Sequence, residues 1–145
     1  LAANFIDDDD WLLGIPADRP TFIILESFTM YLQPEKGFQL YRKLLNHFRH
    51  GRIATHTTGS LTVKFSSFLE ALRESKAVVR WGVDDPKVLL NLDPRLKLLE
   101  HIYLYDFLEM ESRGKNGLRL FGKWTPLISL LPAYRKNGQF LLFEF

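Results

Sequence analysis

An α/β fold, a sheet flanked by helices, is what the sequence predicts, and three observations carry that reading. Thr21-Phe22-Ile23-Ile24-Leu25 is an unbroken apolar, β-branched run of strand length. Pro34 opens a stretch in which Phe38, Tyr41, Leu45 and Phe48 recur at helical spacing while Lys36, Arg42, Lys43 and Arg49 fall elsewhere. Stretches of the two kinds alternate along the chain in the order β, α, β, α, β, α, β, which is how a sheet with helices on its faces is built.

Taken in order, Asp7 to Asp10 stand before Trp11-Leu12-Leu13-Gly14, where carboxylates complement the positive end of a short helix. Pro16 and Pro20 bound a loop. Thr21 to Leu25 is predicted as a central parallel strand covered on both faces. Gly51 stops the helix that Pro34 opens, Arg52 to Thr57 reads as a strand, and Thr58-Gly59-Ser60 as a turn. A second helix is predicted from Val63 to Ser75, with Phe65, Phe68, Leu69 and Leu72 on one face, followed by a short strand over Val78 to Val83. Asp85-Pro86 supplies an N-cap and first-turn proline for a brief helix carrying Val88, Leu89 and Leu90. Leu96 to Tyr105 alternates as a strand does. Thr125-Pro126 starts a helix with Leu127, Leu130, Leu131 and Tyr134 inward, which Pro132 shortens or kinks. Asn137-Gly138 then turns the chain into an apolar last strand, Phe140 to Phe145.

The 145 residues fit one domain that buries roughly two-thirds of its unfolded surface. A hydrophobic fraction of 46% with 25% charged residues is that of a globular chain rather than a disordered one. Nineteen basic residues against seventeen acidic, spread along the chain, give no electrostatic reason to expect nucleic acid or an anionic membrane as partner. No apolar run reaches the roughly 18 residues of a membrane span. The absence of cysteine excludes disulfides, thiolate metal sites and cysteine nucleophiles, and agrees with a reducing, cytoplasmic location. The chain opens on Leu1-Ala2-Ala3-Asn4-Phe5, without an initiator Met or a charged signal region, and this start reads as the tail of a core strand. The expectation is therefore the later part of a larger domain.

Glu26 is the first functional candidate, because ligands of open α/β sheets sit beyond the carboxyl ends of the strands. The alternative is a plain strand-end carboxylate. Ser27 follows it, yet Leu25-Glu26-Ser27-Phe28-Thr29 lacks the flanking glycines of a hydrolase nucleophile elbow. Gly117 to Lys123 has the spacing of a phosphate-binding loop, but Trp124 stands where Ser or Thr would hold magnesium, so a surface loop is expected. Asp7 to Asp10 lack calcium-loop spacing and read as a solvated helix start. His47 and His50 lie three apart with no third ligand in view, and a last-turn histidine also complements the helix end, so no metal is expected. Structural hydrogen bonding is the default for His56 and His101, of which His56 falls nearer a strand's carboxyl end.

Asn4-Phe5 with the acidic stretch after it, Pro20-Thr21-Phe22, Glu26, Thr29-Met30-Tyr31-Leu32-Gln33-Pro34-Glu35, Trp81-Gly82-Val83-Asp84-Asp85-Pro86 and the closing Phe140 to Phe145 together resemble the leucine carboxyl methyltransferase family. That family includes O-methyltransferases of the tetracenomycin type, which tailor polyketides in secondary metabolism. The resemblance spans nearly the whole chain. It implies the later part of a class I, Rossmann-like S-adenosyl-L-methionine-dependent methyltransferase domain over residues 1–145, with a mixed sheet that ends in an antiparallel last strand. The glycine-rich cofactor turn of such a domain would lie upstream of Leu1, so the chain is expected to be inactive alone.

Position by position, the resemblance places Asn4 where an aspartate often accepts from the adenine amino group, and Phe5 where an apolar residue packs on the ring. It places Glu26 beside the cofactor's methionine moiety, whose ammonium a carboxylate would pair with. Ser27 stands where glycine or cysteine is expected. Tyr31 and His56 are the candidates on the side of the methyl acceptor, a small molecule offering a carboxylate or a phenolic hydroxyl. A carboxylate is already nucleophilic, whereas a phenol profits from a general base such as His56. The alternative is a non-catalytic α/β relic or an interaction module whose exposed first-strand edge pairs with a partner.

Overall fold

The computed structural model describes residues 10–65, 77–104, 106 and 136–145. Four strands, β1 (Thr21–Leu25), β2 (Gly51–Thr57), β3 (Lys97–Tyr103) and β4 (Gln139–Glu144), form one sheet in the spatial order β1-β2-β4-β3. β1 and β2 run parallel, with Thr21 opposite Gly51 and Leu25 opposite Thr55. β4 is antiparallel to both its neighbours, Ile53 facing Phe143 on one side and Tyr103 facing Gln139 on the other. The result is the mixed α/β sheet expected of a Rossmann-like fold, closed by an antiparallel last strand.

α1 (Asp10–Leu13) precedes β1, and between the strands lie a 3₁₀ turn (Thr29–Tyr31), α2 (Pro34–His47), α3 (Ser60–Phe65) and α4 (Lys87–Leu90). α2 is the crossover that parallel pairing of β1 and β2 demands. Pro34 sits in its first turn, and Gly37, Leu40, Tyr41, Leu44 and Leu45 form its buried face. That face covers one side of the sheet, where Ile53, Leu141 and Phe143 join it with Trp81, Val83 and Leu89 in a single core. Gly37 is required there, because a Cβ at this position would run into the Trp81 ring. Trp81 is itself wedged edge-on against Phe38 at 5.0 Å and Tyr41 at 6.3 Å.

Polar ties cross this core in satisfied pairs. Tyr41 donates its hydroxyl to Thr55 Oγ1 at 2.9 Å, and Thr55 in turn donates to the Leu25 carbonyl at 3.4 Å, linking α2, β2 and β1. Burial pushes the Tyr41 phenol well above its ordinary range, so it stays a neutral donor. Gln139 is fully buried, donating to the carbonyls of Val83 at 2.7 Å and Lys136 at 3.2 Å, while its Oε1 lies 2.7 Å from His101 Nε2. At the end of α2, Arg95 Nη2 donates to the Leu45 carbonyl at 2.6 Å, an acceptor that the last helical turn leaves unpaired, and Nη1 to that of Arg49 just beyond the helix at 3.1 Å. Asp93 holds the guanidinium at 2.8 Å.

Several sequence expectations are corrected. β1 is an edge strand among the described residues, not a central one: it pairs only with β2, and Phe22 and Ile24 are 58% and 65% exposed on the face away from α2. Val78 to Val83 is not a strand. Both edges of β2 are occupied, so the segment has no ladder to join; it is tied instead by single bonds from Arg80 and Trp81 to the Met30 carbonyl (2.8 and 3.1 Å) and from Val83 to Thr58 (2.7 Å). The helix placed from Val63 starts at Ser60, whose N–H donates to Asp84 Oδ1 at 2.9 Å, and its predicted part beyond Phe65 lies outside the described residues up to Ser75. Gly51 opens β2 rather than stopping α2, which ends at His47. The helix at Thr125-Pro126, the loop Gly117 to Trp124 and Asp7 to Asp9 lie outside the described residues. Among those described, no helix is long and apolar enough to cross a membrane.

Candidate functional site

The site is built where β1 and β2 end side by side. Register does most of the work: Leu25 opposes Thr55, so the first residues beyond β1 come level with His56 on the neighbouring strand. Ser27 Oγ and His56 Nδ1 share a hydrogen bond of 3.0 Å, although 29 residues separate them in sequence. Ser27 reaches that position with φ at 48°, in the left-handed region that costs a residue with a Cβ roughly 1 kcal/mol. Glycine would sit there without cost. The chain carries serine and gains the bond to His56.

His56 alternates onto the sheet face opposite α2, where its ring stacks on Phe140 of β4, centroids 4.8 Å apart and planes 25° from parallel. Burial pulls the imidazole below its ordinary value of 6.5, while the negative charge of Glu26 pushes the other way. The burial effect is the larger, so His56 is neutral at physiological pH and has a free basic nitrogen to offer. Glu26 is exposed just past the end of β1.

A hollow of about 340 Å³ opens on this face, with Glu26, His56 and Glu100 set among Phe22, Ile24, Ile102 and Phe140. Sequence reasoning alone misses Glu100 and Phe140 as residues of this hollow. Phe140 follows from strand alternation once the register with His56 is known, but Glu100 does not. A β-bulge between Leu98 and Glu100 lets Leu98 face the core opposite Phe143 while Glu100, two residues on, stands opposite Leu142 on the other face. Nothing in the residue types announces that extra residue.

Of the candidate site residues, Glu26 and His56 both line this hollow. Tyr31 closes the 3₁₀ turn after Ser27, partly exposed at 37%, and is not among the residues that line it. Asn4 and Phe5 lie outside the described residues. His47 Nε2 lies 2.9 Å from the Ile15 carbonyl and holds the loop after α1, a structural use, and the described residues contain no group of three or more side chains suited to a metal.

Comparison with known proteins agrees with this fold. The chain is 27% identical over 101 residues to the tetracenomycin polyketide synthesis O-methyltransferase TcmP of Streptomyces glaucescens, a match covering 70% of this chain and 37% of that protein. It is 31% identical over 118 residues to the S-adenosyl-L-methionine-dependent methyltransferase dpfgK of Gibberella zeae, covering 75% of this chain and 40% of that one. The matched part is thus about two-fifths of the length of these relatives or slightly less. Among solved structures, a DUF574 family protein from Streptomyces avermitilis superposes with a TM-score of 0.62 over 97% of this chain and 52% of its own, at 10% identity, and so shares the fold. No family model matches the chain. The sequence matches make the chain homologous to S-adenosyl-L-methionine-dependent methyltransferases.

Proposed function

We propose that residues 1–145 are the C-terminal portion of a single S-adenosyl-L-methionine-dependent O-methyltransferase domain, acting in the cytoplasm on a carboxylate or phenolic hydroxyl of a small molecule such as a polyketide. The observation that carries this reading is the placement of Glu26 beyond the carboxyl end of β1 with His56 level on the next strand, in a chain homologous to such enzymes. That is where ligands of open α/β sheets bind.

Glu26 suits one end of the cofactor. Glu26 is an exposed carboxylate whose oxygens can accept charge-assisted hydrogen bonds from the ammonium of the methionine moiety. Asn4 and Phe5 are assigned to the adenine, Tyr31 and His56 to the acceptor. When bound, S-adenosyl-L-methionine supplies a methyl group activated on a sulfonium. The protein's share is to hold the acceptor oxygen in near-attack geometry and to keep water away, the apolar walls from Phe22, Ile24 and Phe140 serving the second end. The open edge of β1 favours a second reading, a non-catalytic module that pairs with a partner strand.

Substituting Glu26→Gln in the full-length polypeptide separates the two. Loss of one member of a charge-assisted pair in a partly dehydrated crevice costs on the order of 2 to 5 kcal/mol, so the cofactor Kd should rise at least tenfold while the melting temperature stays unchanged. Unaltered binding would make Glu26 a structural carboxylate, and no cofactor binding by the parent polypeptide would favour the interaction module.

A further inference from the structure

Glu26 stands between two residues that are both tied to β2. Before it, the Leu25 carbonyl accepts from Thr55 Oγ1 at 3.4 Å, and after it, Ser27 Oγ and His56 Nδ1 share a hydrogen bond of 3.0 Å. Thr55 and His56 are consecutive, so strand alternation sends them to opposite faces of the sheet. Thr55 is buried on the α2 side, where Tyr41 donates to it at 2.9 Å, and His56 lies on the open face against Phe140. We propose that Thr55 and Ser27, the latter held by His56, are positioning residues that fix the backbone of Glu26 from both faces of the sheet, so that its carboxylate is already in place for the ammonium of S-adenosyl-L-methionine. The inference rests on the methyltransferase reading above and adds to it how the carboxylate is held.

The first support is a break in alternation at Ser27. Along β1, Phe22 and Ile24 face the open side while Ile23 and Leu25 pack on the core. A chain that stayed extended would aim Glu26 at the open side and Ser27 at the core. The φ of 48° at Ser27 turns its hydroxyl onto the open side instead, where it meets His56. That conformation is unfavourable for any residue with a Cβ, and strain of this kind persists where the surroundings over-determine it. On the other face, Thr55 accepts from Tyr41 and so keeps its own single hydrogen for the Leu25 carbonyl.

The second support is what the ties leave over. Among the described residues the Glu26 carboxylate makes no hydrogen bond or ion pair, and it lines the hollow from an exposed position. Two cross-strand bonds and a strained residue thus fix the main chain on either side of a carboxylate that these residues do not use. A binding group held by supporting contacts of its neighbours has this form. Placing it beforehand removes part of the ordering cost that binding would otherwise meet.

A double-mutant cycle tests the assignment, with S-adenosyl-L-methionine affinity read by calorimetry on the full-length polypeptide and the melting temperature measured beside it. Ser27→Ala removes one exposed oxygen and should raise the cofactor Kd about threefold, the effect of losing one modest hydrogen bond. In a Glu26→Gln background, where the charge is gone, the same change should leave the Kd where Glu26→Gln alone puts it. Tyr41→Phe combined with Thr55→Val takes out both hydroxyls of the core pair, so no buried donor is left without an acceptor, and should act on Kd as Ser27→Ala does in both backgrounds. Tyr41→Phe alone keeps the Thr55 bond to Leu25, and should lower the melting temperature with the Kd unchanged. Ties that only finish the end of the sheet would lower the melting temperature and leave Kd unmoved throughout, which overturns the proposal. An equal rise of Kd in both backgrounds also overturns it, since the ties would then act through something other than Glu26. In both cases a weakened Glu26→Gln parent leaves the underlying reading standing. If Glu26→Gln binds cofactor as the parent does, or the parent binds none, that reading and this inference fall together.

Discussion

Gly37 shows how much a single position decides. In an exposed helix interior, replacing glycine by alanine gains about 1 kcal/mol of helix propensity. Here the new methyl would enter the ring of Trp81, which Phe38 and Tyr41 hold in place, and overpacking a well-filled core costs about 1 to 3 kcal/mol. The difference leaves Gly37→Ala destabilising by up to about 2 kcal/mol in urea unfolding, with Trp81→Leu in the same chain recovering part of the loss. A stabilised Gly37→Ala would mean that Trp81 can move. The sequence offers a helical glycine and a distant tryptophan, but only the folded chain brings them together. Ser27 and His56 are the same case: each is legible as a strand-end polar residue, and their bond becomes visible only through the parallel register of β1 and β2.

At the scale of elements, residue patterning reached furthest where one rule acted alone. Pro34 and the spacing of Phe38, Tyr41, Leu45 and Phe48 place α2, and Asn137-Gly138 with the apolar run after it places β4 to within a residue. Patterning failed at Val78 to Val83, because apolar character reports burial and says nothing of whether a ladder edge is free. It also could not show that Arg95 closes the end of α2 through carbonyls nearly fifty residues earlier. That contact carries a pH dependence. Hydrogen bonds from Arg95 hold the Asp93 carboxyl below its ordinary value of 3.8, so the stabilisation is present above that value and is lost as pH falls through the lower folded one. His56, also lowered, removes stability from about pH 6.5 downward, since the unfolded chain binds its proton more readily. Melting temperature should therefore decline in two stages on acidification. Arg95→Met should melt lower at neutral pH and lose most of the stage below about pH 4, while an unchanged acid limb would show the Asp93 pair to be inert.

Across the whole molecule the two faces of the sheet are unlike. One is closed by α2 and the Trp81 segment, and the other presents Phe22, Ile24, Ile102 and Phe140 with substantial exposure around the Glu26–His56 hollow. β1, unbroken in its apolar character, reads from sequence as a strand buried on both sides. Its sequence is that of such a strand, and what is missing among the described residues is the neighbour. The match spans about two-fifths of the curated relatives, and the proposal is that the cofactor site is shared between this chain and a further part of the fold. On that account, affinity for S-adenosyl-L-methionine belongs to the complete domain. Calorimetric titration of the cofactor into residues 1–145 and into the full-length polypeptide tests this most directly. The account predicts binding by the full-length protein and at least tenfold weaker binding by residues 1–145, which would lack the contacts of the glycine-rich turn and of the ribose-holding carboxylate. Equal affinity for the two, or none for the longer protein, would contradict it.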